Sequence, residues 1–118
     1  MKRILPAAMY RRRPCSVVAV GCAMGASQEA LTALTSPDLK PDGYLSLNSM
    51  NTLVRSNLSV RRRVNYKRGM RPTLRDFCHS FKGRAVLCAT GHYVYVEGGD
   101  YYSFFYNGND EVISVWIL

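Results

Sequence analysis

Hydrophobic and polar positions change period along this chain, and the changes mark out its elements. From His92 to Val96 the residues alternate as a strand does, the run turns at Gly98-Gly99, and it returns from Tyr101 to Tyr106. Two such runs joined by Gly-Gly predict a β-hairpin. A second turn at Asn107-Gly108-Asn109 leads into Val112 to Trp116, so the pattern predicts a closing meander of three antiparallel strands. Ala85 to Ala89 is continuously apolar and predicts a short central strand. Upstream the period is helical. Cys15 to Met24 is apolar and small; its valines also suit a strand, but its length and the stop at Gly25 favour a buried helix. Ser27 caps a second helix, Gln28 to Leu34, and Asn48 a third, Ser49 to Asn57, with Met50, Leu53 and Val54 at core spacing. Val60 to Tyr66 reads as an edge strand whose apolar members Val60, Val64 and Tyr66 share a parity. Thr73-Leu74-Arg75-Asp76 opens a fourth helix with Leu74, Phe77, Cys78 and Phe81 as its apolar face, ended by Lys82-Gly83. Helices followed by an antiparallel sheet make an α+β fold.

A chain of 118 residues that is 47% hydrophobic holds one domain and one core. Residues 1–14 read as a basic arm and 15–118 as the domain. No run approaches the roughly 20 apolar residues of a membrane span. Ile4 to Met9 is too short for a signal sequence, and Arg11-Arg12-Arg13 follow it directly, so a soluble, unprocessed, cytoplasmic chain is expected. The formal charge of +8 is uneven: between Asp42 and Asp76 there is no acid, while Arg55, Arg61, Arg62, Arg63, Lys67, Arg68, Arg71 and Arg75 fall there. Such a stripe either keeps a small protein solvated or attracts polyanions. Arg61, Arg62, Arg63, Lys67 and Arg68 are its candidate partner-binding residues. Tyr93, Tyr95, Tyr102, Phe104 and Tyr106 share a parity and are expected to form an exposed aromatic patch for a partner. Aromatics with arginines also suit single-stranded nucleic acid, although no RNP-like motif is present. Cys15, Cys22, Cys78 and Cys88 form no CxxC pair, which excludes the common zinc patterns and leaves reduced thiols, with no metal and no cofactor implied.

The candidate chemistry lies in Cys15 and His92. A thiol at a helix N-terminus meets the positive end of the helix dipole, which favours the thiolate, and needs an imidazole nearby to act as a nucleophile. Cys15 on a helix, then His92 opening a strand, then a polar residue on the next strand, is the order of a Cys-His-Asn/Asp triad. With the hairpin centred on Gly98-Gly99, His92 lies opposite Phe105, and Asn107 is its diagonal neighbour on the same face; Ser103 shares that side. Asn107, or else Ser103, is the candidate to orient the imidazole. Asp100 and Asp110 have the wrong parity or lie in turns, and His79 reads as solvated.

The segment CSVVAVGCAMGASQEAL resembles the opening helix of small bacteriophage-encoded papain-like cysteine peptidase proteins, with Cys15, Val17, Ala19, Val20, Ala23 and Gly25 on the pattern. PTLRDFCHSFKGRAVLCATGHYVYVEGGDYYSFF is similar to the same family's T-L-x-x-F helix, K/R-G-R strand and His-bearing hairpin, through Thr73, Leu74, Phe77, Gly83, Arg84, His92, Val94, Val96 and Gly99. The likeness covers about two thirds of the chain and carries little of residues 36–72. It departs at Pro14, where members commonly have Asn or Asp, and at Ser103, where many have Asp. No Gln precedes Cys15 to donate to the oxyanion; backbone N–H groups at the helix start are the substitute, and loss of one such donor typically costs about 10²–10³ in rate. The resemblance implies a papain-like fold and a phage protein in the host cytoplasm. Such a protein is expected to hydrolyse an amide or thioester, or to transfer the acyl group, through Cys15, His92 and Asn107 (or Ser103). The alternative is a papain-like scaffold without turnover that binds a host protein or nucleic acid through the basic stripe and aromatic patch.

Overall fold

A run with no charged side chain has to be covered, and Cys15 to Met24 is such a run. In the computed structural model, which describes residues 3–4, 15–25, 46–90, 92–103 and 108–118, it forms helix α1 (Cys15–Met24). Val18, Ala19, Val20 and Ala23 are buried, and Gly25 follows at φ +65°, a left-handed turn that glycine makes without strain. Helix α2 (Leu47–Asn57) is capped two residues earlier than the sequence suggests. Ser46, not Asn48, is the cap: its side chain accepts from the Ser49 N–H, so Asn48 is drawn into the first turn. Met50, Leu53 and Val54 are buried, as their spacing requires. Helix α3 (Leu74–Ser80) is capped by Thr73, whose Oγ1 accepts from the Asp76 N–H at 3.2 Å. The helix expected at Gln28 to Leu34 lies outside the described residues.

The strands are β1 (Arg3–Ile4), β2 (Arg62–Asn65), β3 (Arg84–Ala89), β4 (His92–Glu97), β5 (Asp100–Ser103) and β6 (Val112–Ile117). They form one open sheet in the order β1-β5-β4-β3-β6-β2. All neighbours are antiparallel except β1, which runs parallel to β5 and gives the basic arm a strand that its composition does not predict. The β4–β5 hairpin has the expected register, with Glu97 opposite Asp100, and Gly98 and Gly99 both have positive φ. The three-strand meander is not formed. β6 leaves the hairpin and pairs with β3 instead, placing Leu87 between Val94 and Val115. Every residue of β3 after Arg84 is buried, and a strand buried on both faces also hides its backbone, which needs a hydrogen-bonded neighbour on each side.

Two apolar layers cover the sheet. On one face α1 and α2 pack Val20, Met50 and Val54 against Val86, Tyr93, Tyr95 and Trp116. On the other, α3 packs Leu74 and Phe77 against Leu87, Val94, Val96 and Val115. Two expectations fail here. Tyr93 and Tyr95 are each only 2% exposed and Tyr102 is packed against the first layer, so these three lie on the face under α1 rather than on an open patch, while Phe104 and Tyr106 lie outside the described residues. Val60 packs with the first layer while Val64 and Tyr66 pack with the second, because regular pairing begins only at Arg62. The Trp116 indole N–H, fully buried, donates to Asn51 Oδ1 at 2.8 Å and so ties β6 to α2. Among the described residues no helix is long and apolar enough to cross a membrane.

Candidate functional site

Helix α1 has a fixed direction over the sheet. Arg84 opens β3 opposite Glu97 at the end of β4, and its guanidinium donates to the carbonyl of Ala23 in the last turn of α1. The same Arg84 donates through Nε to Tyr95 Oη at 2.9 Å and lies over the Tyr95 ring, while Tyr95 Oη donates to Glu97 Oε1 at 2.6 Å. Burial, followed by the bond to Glu97, pushes the Tyr95 phenol up to about 12, so it stays a donor. This clamp sets the C-terminus of α1 at the Glu97 end of β4. A ten-residue helix spans about 15 Å and a six-residue strand about 17 Å, so α1 is long enough to run from that clamp along β4 toward the end where His92 begins.

At that end the chain 108–112 is held between two elements. Leu74 N–H donates to the Asp110 carbonyl at 2.7 Å and Arg75 N–H to that of Gly108 at 3.1 Å, both from the start of α3. Thr90, after β3, donates its N–H to the Glu111 carbonyl at 3.0 Å. The pairing of β3 with β6 then slips by one residue between Cys88 and Ala89, a bulge that leaves Ile113 over. These contacts turn Asp110 toward His92, whose Nδ1 lies 3.6 Å from Asp110 Oδ2. The imidazole is 4% exposed. Burial pulls His92 below its ordinary value, with the Asp110 charge and a backbone bond at Thr90 opposing, so the ring is neutral at pH 7.

The placements answer the sequence expectations one by one. Cys15 is the first residue of α1 and half-buried, packed against the first layer. His92 opens β4 and is buried as the only histidine near a carboxylate among the described residues. The two belong to different faces of the sheet: the alternation of β4 puts His92 with Val94 and Val96, on the α3 face, while Cys15 packs on the α1 face. The Cys15 thiol makes no hydrogen bond among the described residues. Asn107 lies outside them, as does the side chain of Ser103. Asp110, set aside on parity, is the residue that meets the imidazole: the parity rule treats residues 100–110 as one hairpin arm, whereas Asp110 arrives with β6 from beyond β3. His79 is exposed. Arg61, Arg62, Lys67 and Arg68 are exposed and make no ion pair among the described residues. Arg63 differs: it is half-buried, its guanidinium lies 4.9 Å over the Trp116 ring, and Nε donates to Ser114 Oγ at 3.4 Å. All four cysteines are free thiols, and burial pushes the Cys78 thiol up to about 11, which makes it inert.

No protein-family model matches the chain, and neither a curated protein nor a solved structure matches it.

Proposed function

We propose that the chain is a papain-like cysteine hydrolase of phage type, working in the host cytoplasm with Cys15 as nucleophile, His92 as base and Asp110 as the group that orients the imidazole. The observation that carries this reading is the buried His92 held 3.6 Å from the Asp110 carboxylate, in a chain whose half-buried Cys15 thiol opens α1. A carboxylate facing Nδ1 favours the tautomer with its proton there, which leaves Nε2 free of a proton to accept one. Cys15 Sγ gives its proton to that nitrogen and attacks the carbonyl carbon of an amide or thioester. The tetrahedral oxyanion meets backbone N–H groups at the head of α1, where the helix dipole favours negative charge. Collapse breaks the bond to the leaving amine or thiol, which takes the proton from His92, and a water then releases the acyl group from sulfur by the reverse path. Because β4 directs the His92 Cα–Cβ bond to the α3 face, the ring meets Cys15 only past the end of the strand, where His92 is the first residue of β4. Catalytic hydrogen bonds are commonly long before a substrate is bound.

Iodoacetamide labelling with peptide mapping tests the pair, using half-buried Cys22 as the internal reference. Cys15 is expected to label faster than Cys22 at pH 6. His92→Ala is expected to slow Cys15 by about tenfold or more, within the range of general-base assistance. Equal labelling of the two thiols, or a Cys15 rate indifferent to His92→Ala, overturns the proposal.

A further inference from the structure

The sheet ends in β2, which among the described residues has a single neighbour, β6. The Tyr66 N–H donates to the Ile113 carbonyl, and the register sets Val64 opposite Val115 and Arg62 opposite Ile117. In an antiparallel ladder every second residue bonds to the neighbour, so the backbone N–H and C=O groups of Arg63 and Asn65 face outward from the sheet. Their side chains do not cover that edge. Arg63 is drawn over Trp116, and Asn65 Oδ1 accepts from Ser114 Oγ at 2.6 Å, so both lie on the sheet face.

Around this open ladder the charge has one sign. Arg61 and Arg62 precede it, Lys67 and Arg68 follow it, all four exposed, and the turn they lead into lifts Met70 to 73% exposure at a point where Gly69 has φ +87°. Cationic edges repel a second copy of themselves, because pairing two β2 strands sets Arg against Arg. The same charges attract an anion. A nucleic acid satisfies the charge but leaves the outward N–H and C=O groups without a strand to pair with, whereas an extended acidic polypeptide satisfies both.

We infer that β2 is a docking edge for an extended acidic peptide segment, which adds to the sheet as a seventh strand through the outward backbone groups of Arg63 and Asn65 and is held by Arg61, Arg62, Lys67 and Arg68. This mode takes affinity from main-chain hydrogen bonds and selection from side chains. It does not depend on turnover at Cys15.

Fluorescence polarisation with four labelled probes separates the possibilities: an alternating Glu-Val peptide of about eight residues, the same peptide N-methylated at every second residue in each of the two phases, and an oligo-dT of matching charge. The expected result is binding of the plain peptide and of one N-methyl phase, with the other phase weakened by about tenfold or more, the cost of lost ladder bonds. Arg61→Glu with Arg62→Glu is expected to abolish binding. Asn65→Pro removes one outward N–H and keeps the backbone ladder to β6; it also loses the side-chain bond from Ser114, which Asn65→Ala removes alone as the control, so Asn65→Pro but not Asn65→Ala is expected to weaken the peptide while sparing oligo-dT. Equal binding of both N-methyl phases, tighter binding of oligo-dT than of the peptide, or no binding of the peptide overturns the inference. Circular dichroism melts of the variants keep a folding defect distinct from loss of the edge.

Discussion

At the scale of a residue, the environment of His92 makes a measurable quantity. Burial holds its imidazole below the ordinary 6.5, so at mildly acid pH the unfolded chain binds more protons than the folded one. The stability that the neutral ring contributes is complete above about pH 6.5 and is lost as pH falls through that value toward the folded one. Thermal melts from about pH 8 to about pH 5 are therefore expected to decline, and His92→Gln is expected to flatten the decline, since carboxylates titrate lower. A slope that is the same in both proteins removes the burial account. His92 was legible as a special position because it opens an alternating run behind Gly91. Its partner was not. Asn107 is near in sequence, while Asp110 comes near through a strand crossing and a bulge at Ile113, and neither feature has a signature in residue spacing.

At the scale of an element, local rules did well where the element is stabilised locally. The Thr73 cap and the Gly98-Gly99 turn both act within four residues, and both formed where the sequence put them. Thr73 joins two elements, since it caps α3 and also bridges to Glu111 beside β6. Thr73→Ala is expected to cost about 1 kcal/mol, the usual value of a lost cap, in urea denaturation followed by circular dichroism. A cost below a few tenths indicates that the Thr73 hydroxyl is not holding the helix start. Pairings between distant elements were not legible. β6 has the alternation of an outer meander strand, and the choice of β3 over β5 comes from the need of a fully buried strand for neighbours on both edges. The aromatic stripe on β4 fits an exposed binding face equally well by parity, and only the arrival of α1, clamped by Arg84, covers it.

At the scale of the whole molecule, two layers on one sheet divide the cysteines into classes. Cys78 and Cys88 sit in the core, Cys15 and Cys22 at its margin. Pulsed alkylation with mass spectrometry is expected to label Cys15 and Cys22 in the native protein and to spare Cys78 and Cys88 until the chain unfolds cooperatively. Labelling of Cys78 well below the unfolding transition indicates that α3 detaches on its own. The α+β class follows from the order of periods along the chain, and that much was plain from residues alone. The strand order β1-β5-β4-β3-β6-β2 has a further consequence. β2 rests on β6, and Arg63 reaches Ser114 across 51 positions of sequence. During synthesis the cationic segment is made before its only described neighbour, so the ladder between β2 and β6 closes only once Val112 to Ile117 have followed.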